Sequence, residues 1–231
     1  DHIVIAGMGG SGAIGDLFSA IFSKNDVHVT VVKGYLLPKT VDSHTLVITI
    51  SISGNTVETL NILKTAKDMS CKLIAFSSGG KMQKFCKKHD VEFYMIEKTH
   101  SPRASFVTYV YSLLKILKPI LPITENDILE SISTLENTQK LISSKNLTKT
   151  NSSLLLSQQI TNLPLIYYPH GLQAVAIRFK SSLQENAKSH VIVEDIIESC
   201  HNGIVAWEKP SSLQPILIQG HDDYLKTKER W

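Results

Sequence analysis

Two stretches of the chain combine glycine with small hydroxyl side chains in a way that suits an anion. The first, Gly7-Met8-Gly9-Gly10-Ser11-Gly12, separates an apolar run from a segment whose Ile14, Leu17, Phe18, Ile21 and Phe22 mark one helical face. Glycine lets a backbone turn tightly and approach a ligand. A helix start adds free N–H groups and the positive end of the dipole, and Ser11 adds a hydroxyl. The second, Ser51 to Thr59, again follows an apolar strand and opens a helix, with Ser51, Ser53 and Thr56 around Gly54. Helix capping accounts for one such hydroxyl. Three within six residues, with glycine among them, point to a phosphate held where two strands end.

Gly7, Gly9 and Gly12 formally satisfy G-x-G-x-x-G. A dinucleotide fold also wants an acid at the end of the second strand, and that strand ends in Val32-Lys33-Gly34. No Gly-Lys-Ser/Thr follows the loop, so it is not a P-loop either. Other residues could carry proton or charge chemistry. Glu185, in Gln184 to Lys188, is either a proton-transferring carboxylate or a surface helix residue facing Lys188 one turn on. Arg103 follows Pro102 at a predicted helix start, where a cation opposes the dipole, and a fixed guanidinium stabilises negative charge developing on oxygen. An imidazole such as that of His201 can shuttle a proton near neutral pH, oriented by Glu194, Asp195 or Glu198. His170 is a second candidate for that part. Cys71, Cys86 and Cys200 are odd in number and widely spaced, which fits neither a disulfide framework nor a zinc site. Cys86 and His89 share a helical face, but two ligands do not make a metal site.

The elements that must position these residues alternate. Strands are predicted at 2–7, 27–32, 45–51, 72–78 and 91–96, with helices between them and another after Pro102. The apolar runs suit buried parallel strands, and the alternation predicts an α/β fold with a doubly wound, flavodoxin-like parallel sheet. Pro119 and Pro122 close that first half. An amphipathic helix with Ile128, Ile132, Leu135, Gln139 and Ile142 on one side follows, and 143–153 reads as a linker or turn. The alternation then resumes with a strand at 163–168, a helix from Leu172 to Lys188 and a strand at 214–220. The domains are therefore 1–122 and 123–231, two similar halves of which the second is expected to be incomplete. Both ends, Asp1 and Trp231, look cut.

Bulk composition narrows the partners. The chain has 231 residues, 42% apolar and 19% charged, and a net charge of +3 with no basic run, which argues against nucleic acid. The longest apolar stretch, Phe106 to Ile123, is interrupted by Lys115, Lys118, Pro119 and Pro122, which argues against a membrane span. No signal peptide opens the chain, so a cytoplasmic protein is expected.

Gly7 to Asp16 and Ser51 to Leu60 resemble the signature loops of SIS (sugar isomerase) domains. Ser101 to Ser105, Gln184 to Lys188 and the His201-Asn202 pair narrow the likeness to the bifunctional phosphoglucose/phosphomannose isomerases. The resemblance runs from the first strand to about Gly220. It implies two SIS subdomains in a homodimer acting on a sugar phosphate, with no metal or other cofactor. It further implies that Gly10, Ser11, Ser51, Ser53 and Thr56 hold the phosphate. Arg103 would then stabilise an enediolate, Glu185 act as base and His201 assist ring opening. Ile52 stands where the family often has tyrosine, and the family continues past Trp231 to complete the second subdomain. Two other readings stay open: a non-catalytic phosphosugar-binding SIS module, and an SIS isomerase of another sugar phosphate.

Overall fold

A computed structural model describes residues 2–230. In chain order the elements are β1 (His2–Ala6), α1 (Gly10–Phe22), β2 (His28–Val32), β3 (Leu46–Ser51), α2 (Val57–Asp68), β4 (Lys72–Ser77), α3 (Gly80–His89), β5 (Glu92–Met95) and, after a 3-10 turn at Arg103–Ser105, α4 (Phe106–Ile116). Then come α5 (Glu125–Ile142), α6 (Ser152–Gln159), β6 (Leu163–Tyr168), α7 (Gln173–Ser182), β7 (Ile192–Asp195), α8 (Ile196–Ser199), α9 (Gly203–Ala206), β8 (Leu213–Leu217) and α10 (Leu225–Lys228). Two compact units result: residues up to Pro122 with Gln173–Ser182, and Ile123–Leu172 with Leu183 onward.

The first unit is built on a parallel sheet of order β2-β1-β3-β4-β5. The central strands are apolar on both faces because both faces are covered. On one side Val4 and Val47 pack with Ile62 and Ala66 of α2, and Ala75 packs with Leu60 and Leu63 of α2 and Met82 and Cys86 of α3. On the other, α1 comes so close that a Cβ on its Gly15 would sit 3.3 Å from the Ile5 side chain and 3.0 Å from that of Val31. This is the doubly wound arrangement, whose ligands gather outside the carboxyl ends of the strands.

The second unit holds a three-stranded parallel sheet of order β7-β6-β8. Leu165 and Tyr167 of β6 pack with Ile196 of α8 and Leu213 of β8. The Trp207 indole N–H donates to the Tyr167 hydroxyl at 3.1 Å.

One local expectation changes. The helix expected from Leu172 to Lys188 is α-helical only to Ser182 and continues as a π-turn, Leu183–Ala187. The Ser181 hydroxyl bonds back to the Ile177 carbonyl at 2.9 Å, which competes with the helical ladder, and Lys188 leaves with φ 57°. The stretch 143–153 is a folded corner. Asn151 there caps α6 by accepting from Leu154 N–H at 3.0 Å and donates to the Asn146 carbonyl at 2.8 Å.

Candidate functional site

The two serine–glycine loops leave the carboxyl ends of neighbouring strands, along one carboxyl edge of the first sheet, since Ala6 of β1 pairs with Thr49 of β3. In the first loop Gly9 takes φ 54° as the residue preceding α1, a left-handed conformation that favours glycine. Ser11 is buried in the first turn of the helix. In the second, Gly54 at φ 66° lies so close to the third loop that a Cβ would overlap the Gly79 carbonyl.

Capping does not explain the hydroxyls. Thr56 occupies the cap position of α2, yet its side chain makes no cap hydrogen bond; it accepts from the Ser51 hydroxyl at 3.0 Å instead. The Ser51 oxygen in turn accepts from Gly54 N–H at 3.1 Å, and Ser53 Oγ accepts from Asn55 N–H at 3.2 Å. The Gly9 start of α1 has no side-chain cap either. By contrast Thr124, Asn151 and Asp195 cap α5, α6 and α8 with their own side chains. Adjacent helix starts left uncapped, with hydroxyls at hand, can receive an anion. Thr59, in the first turn of α2, is 1% exposed and its hydroxyl has no partner among the described residues.

A third loop, missed in the sequence, buttresses the second. Ser78 Oγ donates to the Ile52 carbonyl at 2.6 Å. Met82 N–H donates to the Gly54 carbonyl at 2.9 Å, and Asn55 Oδ1 accepts from Lys81 N–H at 3.1 Å, capping α3 from outside. The buried Tyr109 hydroxyl lies 3.3 Å from the Ile96 carbonyl and 3.5 Å from that of Ile52, and burial pushes its pKa up. The visible signal was Ser77-Ser78-Gly79-Gly80, another hydroxyl–glycine turn after a strand.

Where a dinucleotide fold would place an acid, Lys33 Nζ instead reaches Asp16 of α1 at 2.5 Å. Arg103 stands exposed in its 3-10 turn. Ser105 beside it is fully buried, accepting from Thr99 N–H at 3.1 Å and donating to the Ser101 carbonyl at 2.9 Å. Arg103 thus shares a unit with Gly10, Ser11, Ser51, Ser53 and Thr56.

Glu185 and His201 belong to the second unit. Glu185 is exposed in the π-turn, and Lys188 Nζ donates to its main-chain carbonyl at 2.5 Å. His201 is exposed after α8, with its N–H on the Glu198 carbonyl at 3.0 Å. Of the acids expected to orient it, Asp195 is otherwise engaged: its Oδ1 accepts from Ile197 N–H at 2.8 Å and Glu198 N–H at 3.2 Å. His170 is exposed in the turn after β6. Among the described residues no group of three His, Cys, Asp or Glu could hold a metal, and no helix is long and apolar enough to cross a membrane.

Sheet order and paired loops define an SIS fold. The SIS domain family model matches residues 1–117, and that of the bacterial phospho-glucose isomerase C-terminal SIS domain matches 149–231. The chain belongs to the bifunctional phosphoglucose/phosphomannose isomerase family. It is 33% identical to the protein of that name from Caldicellulosiruptor bescii, over 96% of this chain and 68% of the relative. It is 32% identical to that from Pyrobaculum calidifontis, over 97% of this chain and 70% of the relative. Among solved structures, tagatose-6-phosphate ketose/aldose isomerase from Escherichia coli superposes with a TM-score of 0.69 at 14% identity, over 99% of this chain and 64% of that one. At that identity the likeness concerns the fold alone.

Proposed function

We propose that the protein is an aldose–ketose isomerase interconverting glucose 6-phosphate or mannose 6-phosphate with fructose 6-phosphate through a cis-enediolate. The observation that carries the reading is the pair of uncapped, hydroxyl-bearing helix starts along one carboxyl edge of the sheet, in a chain of this family. Gly10 and Ser11 on α1, with Ser51, Ser53 and Thr56 at α2, hold the phosphoryl group. The Arg103 guanidinium meets the negative charge that develops on the sugar oxygens. Glu185 takes a proton from one carbon and returns it to its neighbour, and His201 moves the proton that opens the ring. The three roles rest on family membership and residue chemistry. The protein works in the cytoplasm as a homodimer. In support of the dimer, Leu129 and Leu135 of α5 remain 57% and 44% exposed.

A coupled assay on fructose 6-phosphate tests the reading. Wild-type protein should form glucose 6-phosphate, and Glu185→Gln should lower kcat by about 10²- to 10⁴-fold while leaving substrate binding in place. Turnover unchanged by Glu185→Gln would refute the role of the carboxylate. Binding without any turnover by the wild type would favour a sensor module.

A further inference from the structure

Arg178 has no part in the account so far. It is half-buried on α7, inside the first unit, and its guanidinium is fixed on three sides. Its Cζ lies 4.7 Å from the centre of the Phe106 ring, at the start of α4. Its Nη2 donates to the main-chain carbonyl of Arg103 at 2.9 Å. Its Nη1 comes within 3.8 Å of the point a Cβ on Gly10 would occupy. One planar cation therefore bonds the turn that carries Arg103, stacks on the first residue of the helix that follows it and lies near the uncapped start of α1.

This placement is poor for stability alone. A cation beside a helix N-terminus opposes the dipole, and Arg178 is held there by stacking and a carbonyl bond. The other end of the Arg103 turn is anchored by buried Ser105, so Arg178 supplies the anchor on the Arg103 side. Arg178 also lines an apolar cavity of about 340 Å³ with Leu17, Ala174 and Phe179. Contact there restricts its rotamers.

We propose that Arg178 is a positioning residue for Arg103, holding the Arg103 main chain beside the start of α1 and so fixing that guanidinium relative to the first glycine–serine turn. The proposal rests on the reading of Arg103 as the cation that meets the enediolate. Lysine cannot replace Arg178, because an ammonium does not stack flat on a ring while donating in that plane to the Arg103 carbonyl.

Steady-state kinetics on fructose 6-phosphate, with the full-length protein, decide it. Arg178→Met should lower kcat by about 10- to 100-fold, the loss that follows a misplaced catalytic group. KM should stay within about threefold of wild type, since the phosphate contacts are untouched. Arg178→Lys should not restore kcat. In an Arg103→Met background, Arg178→Met should cost less than about twofold more, as two residues acting through one contact are non-additive. An unchanged kcat, full additivity with Arg103→Met, rescue by lysine, or a raised KM with kcat intact would overturn the proposal. Arg103→Met with wild-type kcat would instead remove the reading beneath it. Should Arg178→Met fail to fold, Arg178→Lys and Phe106→Leu, singly and with Arg103→Met, carry the same comparison.

Discussion

Thr56 shows how a hydroxyl at a helix start can be freed for other work. It sits where a threonine normally accepts from the helix, but it is turned onto Ser51, whose oxygen is also tied to Gly54 N–H. The α2 N–H groups are left without that side-chain acceptor. Ser51, Ser53 and Thr56 were legible because they lie within six residues of one another. Asn55 was not, because the N–H it caps belongs to Lys81, 26 positions away, and no local pattern announces such a partner. Arg178 escaped for the same reason: its partners are Phe106 and Arg103. Cys86 matters for what it does not do. Cys86 is buried among Leu60, Leu63 and Met82, and His89, its helical neighbour, stacks on Phe85 with centroids 4.3 Å apart. Burial pushes the Cys86 thiol up to about 11. Thiolate is the reactive form, so at pH 8 Cys86 should resist a disulfide reagent in folded protein and react once denatured. Mass spectrometry of the modified peptide checks this, and rapid labelling in the native state would contradict it.

At the scale of elements, the Ser51–Thr59 loop depends on its neighbour. The third loop presses against Gly54 through Gly79, and the Gly54 carbonyl accepts from α3. Gly54→Ala adds a methyl where φ is 66° and where the Gly79 carbonyl already stands. It should destabilise the protein by about 2–3 kcal/mol and raise KM for the sugar phosphate. Urea denaturation with parallel kinetics checks this; wild-type stability and KM would show that the loop gives way freely. The strands of the first half were legible as short apolar runs ended by glycine or hydroxyl residues, and its long helices by a period of 3.6. The breakdown of the Leu172–Lys188 helix was not, since Leu183–Ala187 keeps good helix formers. What ends the α-helix is back-bonding by Ser181 and the turn at Lys188. Helices α8 and α9, four residues each, are too short to show a period at all.

For the whole molecule, the second sheet repeats part of the first. Its order β7-β6-β8 matches β2-β1-β3, with β6 in the place of β1. The chemistry is not repeated. After β6 the turn is Pro169-His170-Gly171-Leu172, closed by Leu172 N–H on the Pro169 carbonyl at 3.0 Å, and it lacks the hydroxyls of the first unit. The proposed phosphate site therefore lies in the first unit. Sedimentation velocity should find a dimer, and a monomer at micromolar concentration would remove that part of the reading. The most direct measurement of the central claim is calorimetric titration of Glu185→Gln protein with fructose 6-phosphate and, separately, with fructose. On the proposed role of Glu185, the substitution blocks turnover and leaves the substrate bound. Saturable binding of fructose 6-phosphate with none of fructose is the result predicted, because the phosphoryl group supplies the grip at the α1 and α2 starts. Equal heats from both sugars, or none from either, would contradict it.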